Sequence, residues 1–153
     1  MPLKLNYFDA NSGVVKLLMQ IEQHLAESGI DKKLIELIKM RASQLNQCAY
    51  CLDMHSKDAR LQGETEQRLY TLSAWRQTDF FNEPEQAVLA WTEALTQITH
   101  SAEVDAIRET MQVYFSDCQI VDITLAICNI NSWNRFVAGF GANVGSYSPG
   151  QYQ

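Results

Sequence analysis

The fold of this chain is decided by its most apolar segment, residues 117–137, which reads DCQIVDITLAICNINSWNRFV. A helix built from this segment carries apolar residues on nearly every face, so we expect it to be buried against its own core or against another subunit. The rest of the chain carries apolar residues at helical spacing, without the alternation that is typical of strands. The sequence therefore predicts an all-α protein.

Short polar side chains that accept hydrogen bonds from backbone N–H groups mark where the helices begin. Asn82 is followed by Pro84 in the first turn and by Glu85, which completes a capping box. The predicted helices begin near Ser12, Asp31, Cys48, Thr65, Asn82, Ser101 and Asp117, and the segment Trp75–Phe81 interrupts the pattern. We predict a compact bundle of about six to seven helices that forms a single domain over residues 1–153.

Charge and hydropathy limit the partners and the compartment. The chain has 18 acidic and 12 basic residues, a net charge of −6, and no basic face, so neither a nucleic acid nor an anionic membrane is an expected partner. The longest apolar run, Ile123–Ile127, is too short to cross a bilayer, and Met1–Asp9 does not resemble a signal peptide. We expect a protein of the reducing cytoplasm, where cysteines are thiols rather than a disulfide scaffold.

Chemistry is concentrated in one short stretch, Cys48-Ala-Tyr-Cys51-Leu-Asp-Met-His55. The spacing places Cys48, Cys51 and His55 on one face of a helix. Two thiols at this spacing near a helix start can close a disulfide, and the helix terminus favours a thiolate. An imidazole nearby can take the thiol proton. A dithiol with its own base is the minimum equipment for thiol–disulfide exchange or peroxide reduction.

Other interpretations of the two cysteines are weaker, and two of them, buried hydrophobic residues and a zinc site, remain open. Two buried small hydrophobic residues would be an ordinary use of cysteine. A structural zinc site would need a fourth ligand and a second ligand pair, which the sequence lacks. Haem attachment would need histidine directly after the second cysteine, where Leu52 stands, and a thioredoxin fold would need βαβ signals. No metal and no cofactor is expected.

Several sequence features together resemble the alkylhydroperoxidase D-like branch of the carboxymuconolactone decarboxylase family. Glu36 precedes Cys48-x-x-Cys51 by twelve residues, and His55 follows the pair. The segment Asn131-Ser-Trp-Asn-Arg135 and the tail beginning at Val144 are similar too. The resemblance implies an all-helical fold that assembles as a homotrimer or homohexamer. It also implies peroxidase activity through a cysteine pair, because members that lack the two cysteines include the lactone decarboxylases.

The resemblance also implies a role for each site residue. Cys51 would attack a small hydroperoxide, and Cys48 would resolve the product to a disulfide, which a thiol reductant reopens. His55 and Glu36 would relay the proton. One departure is Tyr50, which stands where the best-known alkylhydroperoxidase D proteins have a histidine. That difference weakens the transfer of their peroxidase role and of their dedicated reductant to this chain.

Two alternative functions follow from the same residues. A lyase similar to the lactone decarboxylases would use His55 as acid and base, and its thiols would be dispensable. A redox sensor without enzymatic turnover would use the cysteine pair to change its state of assembly. The three interpretations predict different fates for an added hydroperoxide. A peroxidase turns it over repeatedly, a lyase leaves it unreacted, and a redox sensor consumes it once.

The remaining candidates carry no chemical pattern of their own. Helical spacing alone places Glu36 opposite the apolar stripe of its helix, as a solvated carboxylate. Buried amides usually join helices, so Asn131 and Asn134 are predicted to do so, and an arginine can hold a carboxylate. The residues without an assigned reaction are the arginines Arg41 and Arg135, the structural cysteines Cys118 and Cys128, and the core or interface aromatics Trp75, Phe80, Phe81 and Trp91.

Overall fold

The computed structural model describes residues 2–98 and 101–152, and within them it contains helices and no β-strand. The all-α prediction is confirmed, although the described residues form eight α-helices rather than six or seven. The α-helices are α1 (Tyr7–Ala10), α2 (Ser12–Glu27), α3 (Lys32–Leu45), α4 (Ala49–Leu61), α5 (Glu66–Thr71), α6 (Glu83–Thr96), α7 (Ser101–Tyr114) and α8 (Asp117–Phe140), and a 3-10 helix, Leu72–Gln77, follows α5.

Most of the predicted helix starts are capped as expected. The side chains of Asp31, Thr65 and Asn82 each accept a backbone N–H of the first turn, and Asn82 and Glu85 form the predicted capping box. The cap predicted at Ser12 is wrong, because Asn11 caps α2 instead. Asn11 lies at the junction with α1, a single turn that is too short to show a hydrophobic period.

Helix α3 occupies the centre of the fold, between two hydrophobic clusters. Its residues Ile35 and Ile38 pack with Trp91 and with Ile123 and Ile127 of α8. On its other side, α3 contributes to a cluster formed by Leu37, Met40, Ala59, Leu69, Leu72, Trp75, Phe81 and Leu89. Of the aromatic residues predicted to be core or interface, Trp75, Phe81 and Trp91 are buried, and Phe80 is exposed. Because α3 is enclosed on both sides, its polar residues Glu36, Lys39 and Ser43 are buried as well.

Helix α8 is buried on one face only within the single chain. Ile123, Ile127 and Ile130 are in the core, whereas Val121 is 67% exposed and the free cysteines Cys118 and Cys128 are exposed. The single chain therefore buries one face of α8, and cover of the remaining apolar residues by another subunit stays a prediction. Neither cysteine belongs to the core of the chain. In the part of the chain that the structure describes, no helix has the length and apolar character needed to cross a membrane.

The chain termini meet at the end of α8. Gly141 ends the helix with a positive φ of 81°, and a Cβ at this position would clash with the backbone carbonyl oxygen of Pro2. The backbone N–H of Lys4 donates to the Phe140 carbonyl oxygen at 2.7 Å. Glycine is required here by both the conformation and the close approach. The segment that follows Gly141 then runs along α4, which carries the cysteine pair.

Candidate active site

The turn between α3 and α4 places the first cysteine. The N–H of Cys48 donates to the Ser43 carbonyl oxygen and that of Gln47 to the Gln44 carbonyl oxygen, which is a Schellman ending for α3. Gln47 has a φ of 53°, the left-handed conformation that this ending requires and that costs a non-glycine residue roughly 1 kcal/mol. The turn makes Cys48 the N-cap residue of α4.

Cys48 and Cys51 form a disulfide, as the spacing predicts. Their Cα atoms are 5.4 Å apart, and the backbone N–H of Cys51 donates to Cys48 Sγ at 3.4 Å. Cys48 is 5% exposed and Cys51 is 3% exposed. The pair is therefore held at the amino-terminal end of a helix, where partial positive charge favours a thiolate once the disulfide opens.

His55 lies one turn along α4 from Cys51 and is paired with Glu36. The imidazole Nδ1 is 2.9 Å from Glu36 Oε2, and the side chains of both residues are buried. In the described residues, His55 hydrogen-bonds Glu36 and makes no hydrogen bond to either cysteine sulfur. The contact with Glu36 fixes the orientation of the imidazole ring through Nδ1.

The solvated position that helical spacing suggests for Glu36 is wrong, and the placement beside His55 that the resemblance implies is present. Glu36 is 9% exposed because the face of α3 opposite the first cluster is covered by α4. Burial by itself raises the pKa of Glu36, but the charge and hydrogen bond of His55, together with the charge of Lys39, hold it below its ordinary value. The carboxylate is therefore ionised at neutral pH.

A buried lysine links this pair to the opposite side of the bundle. Lys39 Nζ lies 2.7 Å from Glu22 Oε2 and 3.9 Å from Glu36 Oε1. Glu22 Oε1 accepts from Asn129 Nδ2 at 2.7 Å and from Trp133 Nε1 at 3.2 Å. Burial alone lowers the pKa of Lys39, but Glu22 and Glu36 together raise it. The ammonium is therefore charged and compensates the two carboxylates.

The carboxyl-terminal tail binds a second carboxyl group of the site, that of Asp58 on α4. Tyr147, from the tail, donates its hydroxyl to Asp58 Oδ1 at 2.8 Å, and its carbonyl oxygen accepts from Lys57 Nζ at 2.9 Å. Burial raises the pKa of Asp58, the tyrosine hydrogen bond opposes this, and the negative charge of Glu36 raises it again. Burial and the hydrogen bond to Asp58 also raise the pKa of Tyr147. The tail therefore lies against the helix that carries His55.

Glu36, His55 and Asp58 bring ligand atoms within 4.8 Å of one another, a spacing at which a metal could bind. Their surroundings favour proton handling instead. The ammonium of Lys39 lies 3.9 Å from Glu36 Oε1, and a divalent cation would be placed beside this positive charge. The carboxylate oxygens also accept hydrogen bonds from His55 and Tyr147. The sulfurs of Cys48 and Cys51, bonded to each other, are not zinc ligands in this state.

The other polar residues singled out in the sequence stabilise the fold around the site. Asn46 Nδ2 donates to Asn131 Oδ1 at 3.0 Å and to Asn134 Oδ1 at 2.8 Å, so the predicted role of these amides in joining helices is confirmed. Arg41 Nε binds Glu93 at 2.7 Å, a carboxylate of the protein itself. Arg135 Nη1 donates to the Asn131 carbonyl oxygen at 2.7 Å, and Tyr50 Oη lies 3.4 Å from Tyr152 Oη.

Sequence reasoning missed four residues of the site: Glu22, Lys39, Asp58 and Tyr147. Lys39 offered a local signal, because it follows Glu36 by one turn inside the apolar run 34–40 of α3. Charged residues at such positions are rarely buried unless they are paired. Glu22 and Tyr147 gave no such signal, because their partners are 17 and 89 residues away in the sequence.

The pH dependence of folding tests the buried carboxylate of Glu36. Because its folded pKa lies below the ordinary value of 4.5, the ionised group stabilises the folded protein above that pH, and this stability is lost as the pH falls through the folded pKa. We expect Glu36→Gln to lower the free energy of unfolding by about 2 kcal/mol at pH 7. The difference from the native protein should shrink below about pH 4.5, as measured by urea unfolding with circular dichroism.

The exposed residue Glu109 on α7 provides the matched control. Glu109→Gln changes the same functional group on the surface and should leave the free energy of unfolding within about 0.5 kcal/mol at every pH. A Glu36→Gln effect that is as small as this, or that stays constant as the pH falls, would contradict a stabilising buried carboxylate.

Comparison with known proteins places this site in a family. Residues 13–94, just over half of the chain, match the Carboxymuconolactone decarboxylase family. The uncharacterized protein YdfG of Bacillus subtilis (strain 168) is 38% identical over 146 residues, which cover 95% of this chain and 99% of YdfG.

Solved structures extend the likeness to the whole fold. ATU0492, an Agrobacterium tumefaciens protein of unknown function whose name connects it with antioxidant defence and AhpD, is 39% identical. It superposes with a TM-score of 0.89 over 95% of this chain and 99% of its own. The debrominase Bmp8, 19% identical over 91% of this chain and 74% of its own, shares the fold with a TM-score of 0.79. The chain belongs to the carboxymuconolactone decarboxylase family, and its helical fold is that of the AhpD-like proteins.

Proposed function

We propose that the protein is a thiol peroxidase of the reducing cytoplasm, which reduces small hydroperoxides through Cys51 and Cys48. The observation that carries the proposal is the combination of a disulfide at the start of α4 with a buried Glu36–His55 pair one turn along the same helix. A purely structural disulfide would have no need for a buried imidazole and carboxylate beside it. The whole chain, residues 1–153, would act as one domain.

The proposed cycle uses both sulfurs and balances without a metal. The thiolate of Cys51 attacks the peroxide oxygen, the O–O bond breaks, and the alcohol leaves with one proton while Cys51 becomes a sulfenic acid. Cys48 then attacks the sulfenic sulfur, and water leaves as the disulfide forms. Two equivalents of a thiol reductant return both cysteines to thiols. His55 takes the proton from the Cys51 thiol and returns it to the leaving group, and Glu36 holds the ring.

The local surroundings support a reactive thiol at this position. A free thiol is only a few per cent ionised at neutral pH, so a peroxidase must activate it. The terminus of α4 supplies backbone N–H groups, and His55 lies one turn away as a base. Lys39 keeps Glu36 ionised without entering the reaction. The four residues Cys48, Cys51, His55 and Glu36 are thus the proposed catalytic set.

Serine variants of the cysteines test the order of attack. We expect Cys51→Ser to abolish reaction with cumene hydroperoxide, because the attacking thiol is gone. Cys48→Ser should still react once and retain a sulfenic acid on Cys51, which a dimedone probe labels. Cys128→Ser removes an exposed free thiol and should react like the native protein. Sulfenic acid trapped on Cys48 in the Cys51→Ser variant would reverse the proposed roles.

Turnover separates this proposal from its two alternatives. Repeated reduction of hydroperoxide in the presence of dithiothreitol supports an enzyme, and a single stoichiometric oxidation supports a redox sensor. If neither cysteine reacts, the thiols are dispensable and the lyase with His55 as acid and base becomes the better interpretation.

The pH dependence of alkylation tests the proton relay. His55→Ala should slow alkylation of reduced Cys51 at neutral pH at least about tenfold, because the base is lost. The effect should fade above about pH 9, where a free thiol ionises unaided. Glu36→Gln should slow alkylation more weakly. The double variant should raise the activation free energy of alkylation by less than the sum of the increases in the two single variants. Rates of iodoacetamide labelling, measured by mass spectrometry, give these values.

A surface histidine supplies the control for this experiment. His24 lies on α2 and its imidazole is hydrogen-bonded to Asp122 at 2.8 Å, remote from the cysteine pair in the sequence and on a different helix. His24→Ala should leave the alkylation rate of Cys51 unchanged. If Glu36→Gln matches the native protein at every pH, Glu36 is not part of the relay.

We also propose that the protein assembles as a homotrimer or homohexamer. Large apolar side chains are exposed on several helices of the single chain, among them Leu17, Leu61, Val113 and Val121. Light scattering at micromolar concentration should give about 52 or about 104 kDa, three or six times the chain mass of 17.4 kDa. A mass of one chain would contradict assembly.

A further inference from the structure

A cavity of about 210 Å³ lies beside one of the two sulfur-bearing residues. It is formed by the α3–α4 turn, the end of α8 and the first residues of the tail. Its lining comprises Asn46, Gln47, Cys48, Ala49, Tyr50, Asn134, Val137, Ala138, Gly141, Ala142 and Val144. Cys48 therefore borders the cavity, whereas Cys51 lies outside the lining. The volume is that of about seven water molecules, enough for a small molecule and too little for a folded partner.

The lining carries no acidic and no basic side chain. The amides of Asn46 and Asn134 are fixed by the protein itself, because Asn46 donates to Asn131 and Asn134, and Asn134 Nδ2 donates to Ser43 Oγ at 3.1 Å. A carboxylate carried by an entering ligand would lose hydration and find no cationic side chain in the lining. The net charge of −6 on the chain adds a general repulsion. The cavity therefore suits a thiol that carries no charged group besides its reacting sulfur, and the amino-terminal end of α4 favours the thiolate form of that sulfur.

We propose that the thiol reductant of the catalytic cycle enters this cavity, attacks Cys48 Sγ and is a small uncharged thiol. This inference rests on the proposed function and adds which of the two disulfide sulfurs the reductant attacks. The thiolate of the reductant forms a bond to Cys48 Sγ as the Cys48–Cys51 bond breaks. The electron pair of that bond leaves with Cys51 Sγ, which is protonated from His55 or water.

The second step returns Cys48 to its reduced form. Another thiol attacks the reductant's sulfur in the mixed disulfide, and Cys48 leaves as a thiolate. The backbone N–H of Cys51, 3.4 Å from Cys48 Sγ in the oxidised protein, is placed to donate a hydrogen bond to this thiolate. Two thiols are oxidised to one small disulfide, and the protein disulfide is reduced to two thiols. Attack at Cys48 releases the thiol of Cys51 first. Cys51 lies on the same helix as His55, its proposed base.

Trapping the mixed disulfide tests the direction of attack in the native chain. Oxidised protein is mixed with 2-mercaptoethanol and quenched early with N-ethylmaleimide, and the tryptic peptide 42–57 is fragmented by mass spectrometry. We expect mercaptoethanol on Cys48 and maleimide on Cys51. Mercaptoethanol on Cys51, or divided equally between the two, would overturn the assignment.

Reduction rates with two different thiols test the proposed charge of the reductant. Rates of disulfide reduction per thiolate should be about tenfold higher for 2-mercaptoethanol than for the anion 3-mercaptopropionate at low salt. Ala138→Lys places a cation in the cavity lining and should narrow that ratio several-fold. Gln67→Lys adds the same charge on the exposed surface of α5, outside the cavity lining, and should leave the ratio unchanged. Equal rates for both thiols, or equal effects of both variants, would overturn the proposed ligand class.

These experiments use no hydroperoxide, so they are independent of the proposed peroxidase activity. If hydroperoxide is not turned over but mercaptoethanol is found on Cys48, the peroxidase activity is rejected and the thiol site is retained. If hydroperoxide is turned over but mercaptoethanol is found on Cys51, the peroxidase activity is retained and the thiol site is rejected.

Discussion

The hydrogen bond between Glu36 and His55 is the interaction on which the arrangement of the site depends. A carboxylate buried in the centre of a helical bundle is costly unless it is paired and hydrogen-bonded. Here the 2.9 Å contact to His55 supplies one partner, and the nearby ammonium of Lys39 supplies a second charge. Lys39 is in turn neutralised by Glu22. One buried carboxylate thereby connects α2, α3 and α4, with Asn129 and Trp133 adding α8.

The turn between α3 and α4 converts this connection into a reactive geometry. The left-handed conformation of Gln47 closes α3 and starts α4 within three residues, so the cysteine pair begins the same helix that carries His55. Rigid elements on both sides hold the sulfurs and the imidazole at fixed separation, which is what proton transfer to a defined thiol needs.

The two sulfurs consequently have different surroundings, although they are bonded to each other. Cys51 is the nearer to His55 along α4, and Cys48 borders an uncharged cavity. In the cycle that we propose, Cys51 would face the proton-dependent attack on peroxide and Cys48 would face the thiol that reduces the disulfide. The tail completes the enclosure, because Val144 lines the cavity and Tyr147 binds Asp58 on the next turn after His55.

The sequence by itself determined the features that depend on neighbours within a few residues. The helical class, the caps at Asp31, Thr65 and Asn82, and the disulfide of Cys48 with Cys51 all follow from local spacing. Local hydrogen bonds and side-chain geometry specify these features without help from the rest of the chain. The family resemblance added Glu36, which its own helical phase placed in solvent.

Only the tertiary structure decided which polar groups are buried and which partners they have. Glu36 is enclosed because packing on both sides of α3 buries every residue from 34 to 40, a consequence of tertiary contacts rather than of the helix's own pattern. Lys39 meets Glu22 across 17 residues, and Tyr147 meets Asp58 across 89. Such pairs depend on how helices from distant parts of the sequence pack together, and periodicity along one helix carries no information about what covers its faces.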